Sequence, residues 1–106
     1  MASFSIRCLF RWSNRSGSNQ ITYEERITLW TAESDDDAIA MAEAEAKAYA
    51  VANDVKYLDL CQCYAMFDEV AASGIEVFSL LRDSSLEPEE YLRQYFDNGN
   101  ERQRDG

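Results

Sequence analysis

The stretch Ser3-Phe4-Ser5-Ile6-Arg7-Cys8-Leu9-Phe10-Arg11-Trp12 alternates without a break. Phe4, Ile6, Cys8, Phe10 and Trp12 share one side, and Ser3, Ser5, Arg7, Leu9 and Arg11 share the other. Successive side chains of a strand point to opposite faces, so this period of two reads as a half-buried β-strand. A polar run, Ser-Asn-Arg-Ser-Gly-Ser-Asn at 13–19, follows, and its Gly17 suits a turn that needs a positive φ. Alternation resumes from Ile21 to Thr31, with Ile21, Tyr23, Ile27 and Leu29 opposite Thr22, Glu24, Arg26, Thr28 and Trp30. Two such runs around a polar turn predict a β-hairpin with a long loop.

Beyond the hairpin, Ser34 is placed to cap a helix whose first turn carries Asp35, Asp36 and Asp37. Carboxylates there meet the positive end of the helix dipole. The body, Ala38 to Ala52, has alanine at every even position, giving a slim helix that can lie close to a sheet. Glu43 and Lys47 form a favourable i,i+4 pair, and Asn53-Asp54 end the helix. Val55 to Phe67 reads as a strand apolar on both faces, either central or facing another subunit. A turn around Ala71-Ala72-Ser73-Gly74 leads to a fourth strand, Ile75 to Leu81. Ser84 to Pro88 opens a short helix with Tyr91, Leu92, Tyr95 and Phe96 as its apolar stripe, and Asn98-Gly99 stop it. The order β-β-α-β-β-α predicts an α+β domain over residues 1–99, with a mostly antiparallel four-stranded sheet and the main helix across one face. Residues 100–106 hold no apolar side chain and are expected to be a disordered tail.

Composition narrows the chemistry. The 106 residues include no histidine, which removes Ser-His and Cys-His pairs, imidazole bases and imidazole-ligated zinc. The formal charge is −10, and residues 34–106 carry all of the excess, with six basic residues against seventeen acidic ones. Such a surface repels phosphate backbones and anionic lipids, so neither nucleic acid nor membrane is an expected partner. A basic protein is its natural complement. Three cysteines are too few for a disulfide scaffold, and the N-terminal Met-Ala-Ser-Phe-Ser-Ile-Arg lacks an export signal's basic and apolar regions. A reducing, cytoplasmic setting is the expectation.

Few residues point to chemistry. Glu25 falls on the apolar side of the second strand, where a carboxylate must pair with arginine, accept hydrogen bonds or turn outward at a bulge. Alternatively it is a binding or catalytic group. Cys61 and Cys63 share a strand face, but with Cys8 and no imidazole they read as small core residues, so no metal and no cofactor are expected. The triplet Asp35-Asp36-Asp37 lacks the alternating ligands and central glycine of a calcium loop. No phosphate-binding or dinucleotide glycine pattern occurs, and nothing marks an enzyme. Opposite the hairpin's expected core side lie Arg7, Leu9, Arg11, Glu24, Arg26 and Trp30, a mixture of arginine and tryptophan typical of interface anchors. Arg7, Arg11, Glu24, Arg26 and Trp30 are therefore the candidate partner-binding residues.

Two separated segments add a resemblance. Tyr23-Glu24-Glu25-Arg26-Ile27 leads through Trp30, Ala32, Ser34 and Ala38-Ile39 to Ala42-Glu43, and Gly74-Ile75-Glu76-Val77-Phe78-Ser79 precedes Leu81-Arg82. Over about residues 3–96 this resembles a bacterial domain-of-unknown-function family of short proteins with YEERI and GTEVFS segments; here Ile75 stands in the threonine position. The resemblance implies a bacterial cytoplasmic protein, supplies no activity, and makes Glu24, Glu25, Arg26, Glu76 and Ser79 candidates for a shared site. Three functions stay open. One is a protein-binding module, immunity-type or inhibitor-like, for a basic partner. Another is a small-ligand or divalent-ion protein, or enzyme, using Glu24, Glu25, Arg26 and Glu76, with Glu25, Glu76 and Ser79 as ligand-binding residues. The third is a homo-oligomer, such as a dimer, packed through its sheet faces.

Overall fold

The computed structural model describes residues 1–12, 20–66, 73–96 and 102–105. β1 (Ala2–Trp12) and β2 (Ile21–Ala32) pair antiparallel, α1 (Asp35–Asn53) follows, and β3 (Val55–Ala65) pairs with β1. β4 (Ser73–Ser84) pairs with β2, and α2 (Pro88–Tyr91) continues into a π-helical segment, Leu92–Phe96. The result is an antiparallel sheet in the order β4-β2-β1-β3-β5, the α+β architecture and element order that the sequence pattern predicts. β5 is a correction. Arg102–Asp105, in the segment expected to be a disordered tail, form a strand antiparallel to β3. Strand addition needs only backbone donors and acceptors, so a polar composition does not prevent it. The expected turns at Gly17 and Ala71-Ala72, the end of the third strand at Phe67 and the Asn98-Gly99 stop lie outside the described residues.

Each helix covers one face of the sheet. Ser34 Oγ accepts a hydrogen bond from the Asp37 N–H at 3.1 Å, and Asp54, left-handed at φ 54°, closes α1. α1 lays Ala38, Ile39, Ala42 and Ala46 over Phe4, Ile6, Cys8, Phe10, Trp30, Tyr57, Cys61 and Cys63. The small alanine stripe lets the helix approach closely, and Phe10, fully buried, meets the rings of Tyr49 and Tyr57 edge-on and tilted. On the opposite face, Tyr91 of α2 packs with Leu9, Tyr23 and Leu60, and stacks on Tyr23 at 3.9 Å. β3 is apolar on both faces because it sits between both layers. At Asp59, left-handed at φ 59°, it bulges against β1, which keeps Tyr57 and Cys61 on the α1 face. The cysteines are free and buried in the α1 core. A bond to Cys61, followed by burial, pushes the Cys8 thiol up, so little reactive thiolate forms.

The hairpin register overturns one expectation. Phe10 lies opposite Glu24, Cys8 opposite Arg26, Ile6 opposite Thr28 and Phe4 opposite Trp30. Cross-strand partners project to the same face, so Glu24, Arg26 and Trp30 lie beneath α1, while Ile21, Tyr23, Ile27 and Leu29 belong to the α2 face. Gly74 fits this packing: at φ 75° it is left-handed, and a Cβ there would stand 3.2 Å from the Trp30 ring.

Candidate functional site

The sequence-predicted residues separate into two buried networks and one exposed strand. Of the partner-binding candidates, Glu24, Arg26 and Trp30 are 2%, 7% and 6% exposed, so they cannot meet a partner as an open surface. Arg7 is half-buried and Arg11 exposed, and both are on the α2 side of the sheet. The expected single Arg-Trp face is therefore divided between opposite sides of the sheet. Trp30 is a core residue whose Nε1 donates to Thr28 Oγ1 at 2.7 Å.

Beneath α1, Glu24 accepts hydrogen bonds from Trp12 Nε1 at 3.0 Å, Tyr49 OH at 2.8 Å and Ser79 Oγ at 2.5 Å. Arg26 donates through Nη1 and Nη2 to Glu45 at 2.6 and 2.9 Å, and through Nε to Glu76 at 2.5 Å. Its guanidinium lies 3.9 Å from the Tyr49 ring centroid. Burial pulls the Arg26 pKa down, but the two carboxylates outweigh it and hold the guanidinium protonated. Burial first, then the bond to Glu24, raises the Tyr49 pKa, so its hydroxyl stays a donor. The two resembling segments thus meet across the β2–β4 ladder, where Arg26 stands opposite Ser79 and Thr28 opposite Glu76.

Glu25 points to the other face. It accepts from Arg82 Nη1 and from Tyr91 OH, each at 2.7 Å, and from Arg7 Nη1 at 3.4 Å. Arg7 Nη2 also donates to Gln62 Oε1, and the Arg82 guanidinium lies 4.0 Å from the Tyr95 ring centroid. Burial, then the bond to Glu25, raises the Tyr91 pKa. Tyr23 OH donates to the Leu86 carbonyl at 2.7 Å, and burial pushes its pKa up to about 12. Of the readings open for Glu25, arginine pairing with added hydrogen bonds is the one observed.

This geometry corrects the carboxylate cluster. Glu24 and Glu76 lie on the α1 side and Glu25 on the α2 side, so the three do not converge. Their oxygens accept hydrogen bonds from tyrosine, tryptophan, serine and arginine side chains, so Arg26 and Glu25 tie the strands together. Among the described residues no group of three or more His, Cys, Asp or Glu is placed to hold a metal ion. An open depression of about 410 Å³ beside α2 has Leu86, Glu90, Arg93 and Gln94 as its described lining, none of them a motif residue.

β4, by contrast, is accessible. It stands at the sheet's edge, paired with β2 on one side, and exposes Ile75, Val77, Phe78 and Leu81 at 53%, 52%, 48% and 40%. No family model, curated protein or solved structure matches the chain. No helix among the described residues is long and apolar enough to cross a membrane.

Trp12, Glu45, Tyr49, Gln62, Arg82 and Tyr91 are site residues that the sequence does not single out as such. One signal was present: Glu45 and Tyr49 are four apart on α1, beside the buried Ala42 and Ala46. Tyr91 stands in the apolar stripe of the short helix, which marks burial but not its bond to Glu25, and Arg82 carries no periodic mark.

Proposed function

We propose that this chain is a protein-binding module for a basic partner and that β4 is the surface it offers. The observation that carries this reading is the run of exposed apolar residues along a strand that, among the described residues, ends the sheet. An edge strand presents unsatisfied backbone N–H and C=O groups, and natural proteins usually blunt such edges with charge, proline or a covering element. Glu76, Asp83 and two register shifts blunt the β4 edge in part, yet four apolar side chains, each at least 40% exposed, remain on it. The charge of −10 supports a basic partner by electrostatic steering, and the small size suits an inhibitor-like or immunity-type role.

The test places a photo-crosslinking amino acid at Val77 on β4 and, as a control, at Val51, which is 85% exposed on α1. In the cell that makes the chain, the expected outcome is one discrete adduct from position 77, basic in composition and lost on Phe78→Glu. Equal labelling from position 51, or an adduct insensitive to Phe78→Glu, overturns the edge as the binding surface. An adduct between two copies of the chain favours the homo-oligomer instead.

A further inference from the structure

We infer that β4 accepts an extended peptide segment in which basic and apolar residues alternate, adding it to the sheet as a further strand. The inference rests on the proposed binding edge and adds the chemistry of its occupant. It follows from how β4 divides its side chains. Cross-strand register with β2 sets Ile75 opposite Leu29, Phe78 opposite Ile27 and Leu80 opposite Glu25, so these three apolar residues share the α2 face. Glu76 opposite Thr28, Ser79 opposite Arg26, Leu81 opposite Glu24 and Asp83 opposite Thr22 share the α1 face, Arg82 opposite Tyr23 continues the α2 row, and the register shift at Val77 switches which positions face which side.

A strand laid along the free edge continues both rows. On the α2 side its side chains meet Ile75, Phe78 and Leu80, which reward apolar neighbours. On the α1 side they meet the carboxylates of Glu76 and Asp83, with Glu45 of α1 close behind through its shared partner Arg26. The Glu76 side chain is 42% exposed even with Arg26 bound, so it can take a second cation. Main-chain hydrogen bonds would supply affinity and the alternating side chains the selectivity, the usual logic of β-strand addition.

Charge decides against a second copy as the occupant. Two copies pairing antiparallel through the middle of β4 would set Glu76 of each chain near Asp83 of the other, within an assembly where each carries −10. Like charges at an interface are unfavourable, whereas lysine or arginine in the same positions is attracted.

The experiment uses the full chain and three acetylated peptides of about nine residues, a length that spans an edge strand of this kind. They are alternating Lys-Val, the same composition in two blocks, and alternating Glu-Val. Binding is read by fluorescence anisotropy, and its location by amide hydrogen exchange. Alternating Lys-Val is expected to bind at least about tenfold tighter than either control, to protect β4 amides, and to weaken as salt rises. Glu76→Lys and Phe78→Lys should each weaken it, the first losing most of the salt dependence. Block and alternating Lys-Val binding equally at β4 removes the alternation while leaving the edge reading intact. Tighter binding by Glu-Val removes the charge argument. β4 protection that grows with chain concentration alone makes a second copy the occupant. Peptide binding that protects other elements, or no binding by any peptide, overturns the inference; the crosslinking at Val77 then decides separately whether the edge reading survives.

Discussion

β2 and β4 are neighbours in one ladder, yet each is built as hydropathy alone would build the other. β2 carries three consecutive charged residues, Glu24, Glu25 and Arg26, and all three are at most 7% exposed. β4 carries Ile75, Val77, Phe78 and Leu81, and all four are at least 40% exposed. The difference lies in position. β2 has strands on both sides and layers near both faces, so the run from Thr22 to Arg26 is enclosed whatever the residue type, and its charged members persist only because each finds partners. Among the described residues β4 has one neighbouring strand, and it is tied to it by polar bonds: Glu76 to Arg26, Ser79 to Glu24, Arg82 to Glu25 and Asp83 to Thr22. Its apolar side chains are left over from that attachment and are available for another.

The sharpest way to calibrate this contrast is the apolar interior that β2 shares with β1. Phe10→Ala empties the space between Tyr49 and Tyr57 and should cost on the order of 3–5 kcal/mol in urea denaturation. A loss below about 1 kcal/mol would break the assignment of Phe10 to the α1 core. Next come the enclosed carboxylates. Glu24→Ala strands the Tyr49, Trp12 and Ser79 donors, and Glu25→Ala leaves Arg82 and Tyr91 without their acceptor, so each should cost on the order of 3 kcal/mol. Near-normal stability for either variant would show that β2 is held by its apolar neighbours alone.

A smaller effect appears in alkali. The folded pKa values of Tyr23, Tyr49, Tyr57 and Tyr91 are all raised, each chiefly by burial. The folded state keeps protons that the unfolded chain releases near pH 10. The stability they contribute is therefore complete below about pH 10 and lost as pH rises through the folded values. Denaturation midpoints should fall between pH 10 and 12, and less steeply in Tyr23→Phe. A flat profile would mean that these hydroxyls are not enclosed. The smallest effect belongs to β4: Ile75→Ser and Phe78→Ser should each change stability by only about 0.5 kcal/mol. A loss above about 2 kcal/mol for Phe78→Ser would make it a core residue and erase the contrast with β2.

Much of the fold was legible because local rules govern it. The alternation from Ser3 to Trp12, the Ser34 cap with its aspartates, and the alanine stripe each act within a few residues. Glu25 was legible as a residue in need of partners, although not which ones. Arg82 and Tyr91, which supply them, are separated from it by 57 and 66 positions. The partner face was misjudged because the second strand has polar and apolar sides of similar standing, and nothing local says which lies beneath α1.

By itself, then, the sequence determined the element order, the absence of imidazole chemistry, the charge of −10 and the placement of Glu25 on the apolar side of its strand, since composition and periodicity are properties of the chain alone. The tertiary structure decided the register that sets Phe10 opposite Glu24, the division of the charged triplet between two faces, the addition of β5 and the exposure of β4. The physical reason is that strand pairing joins segments far apart in the chain, and a register shift of one residue moves every side chain to the opposite face. Burial in a sheet is assigned by neighbours, and only the folded chain has them.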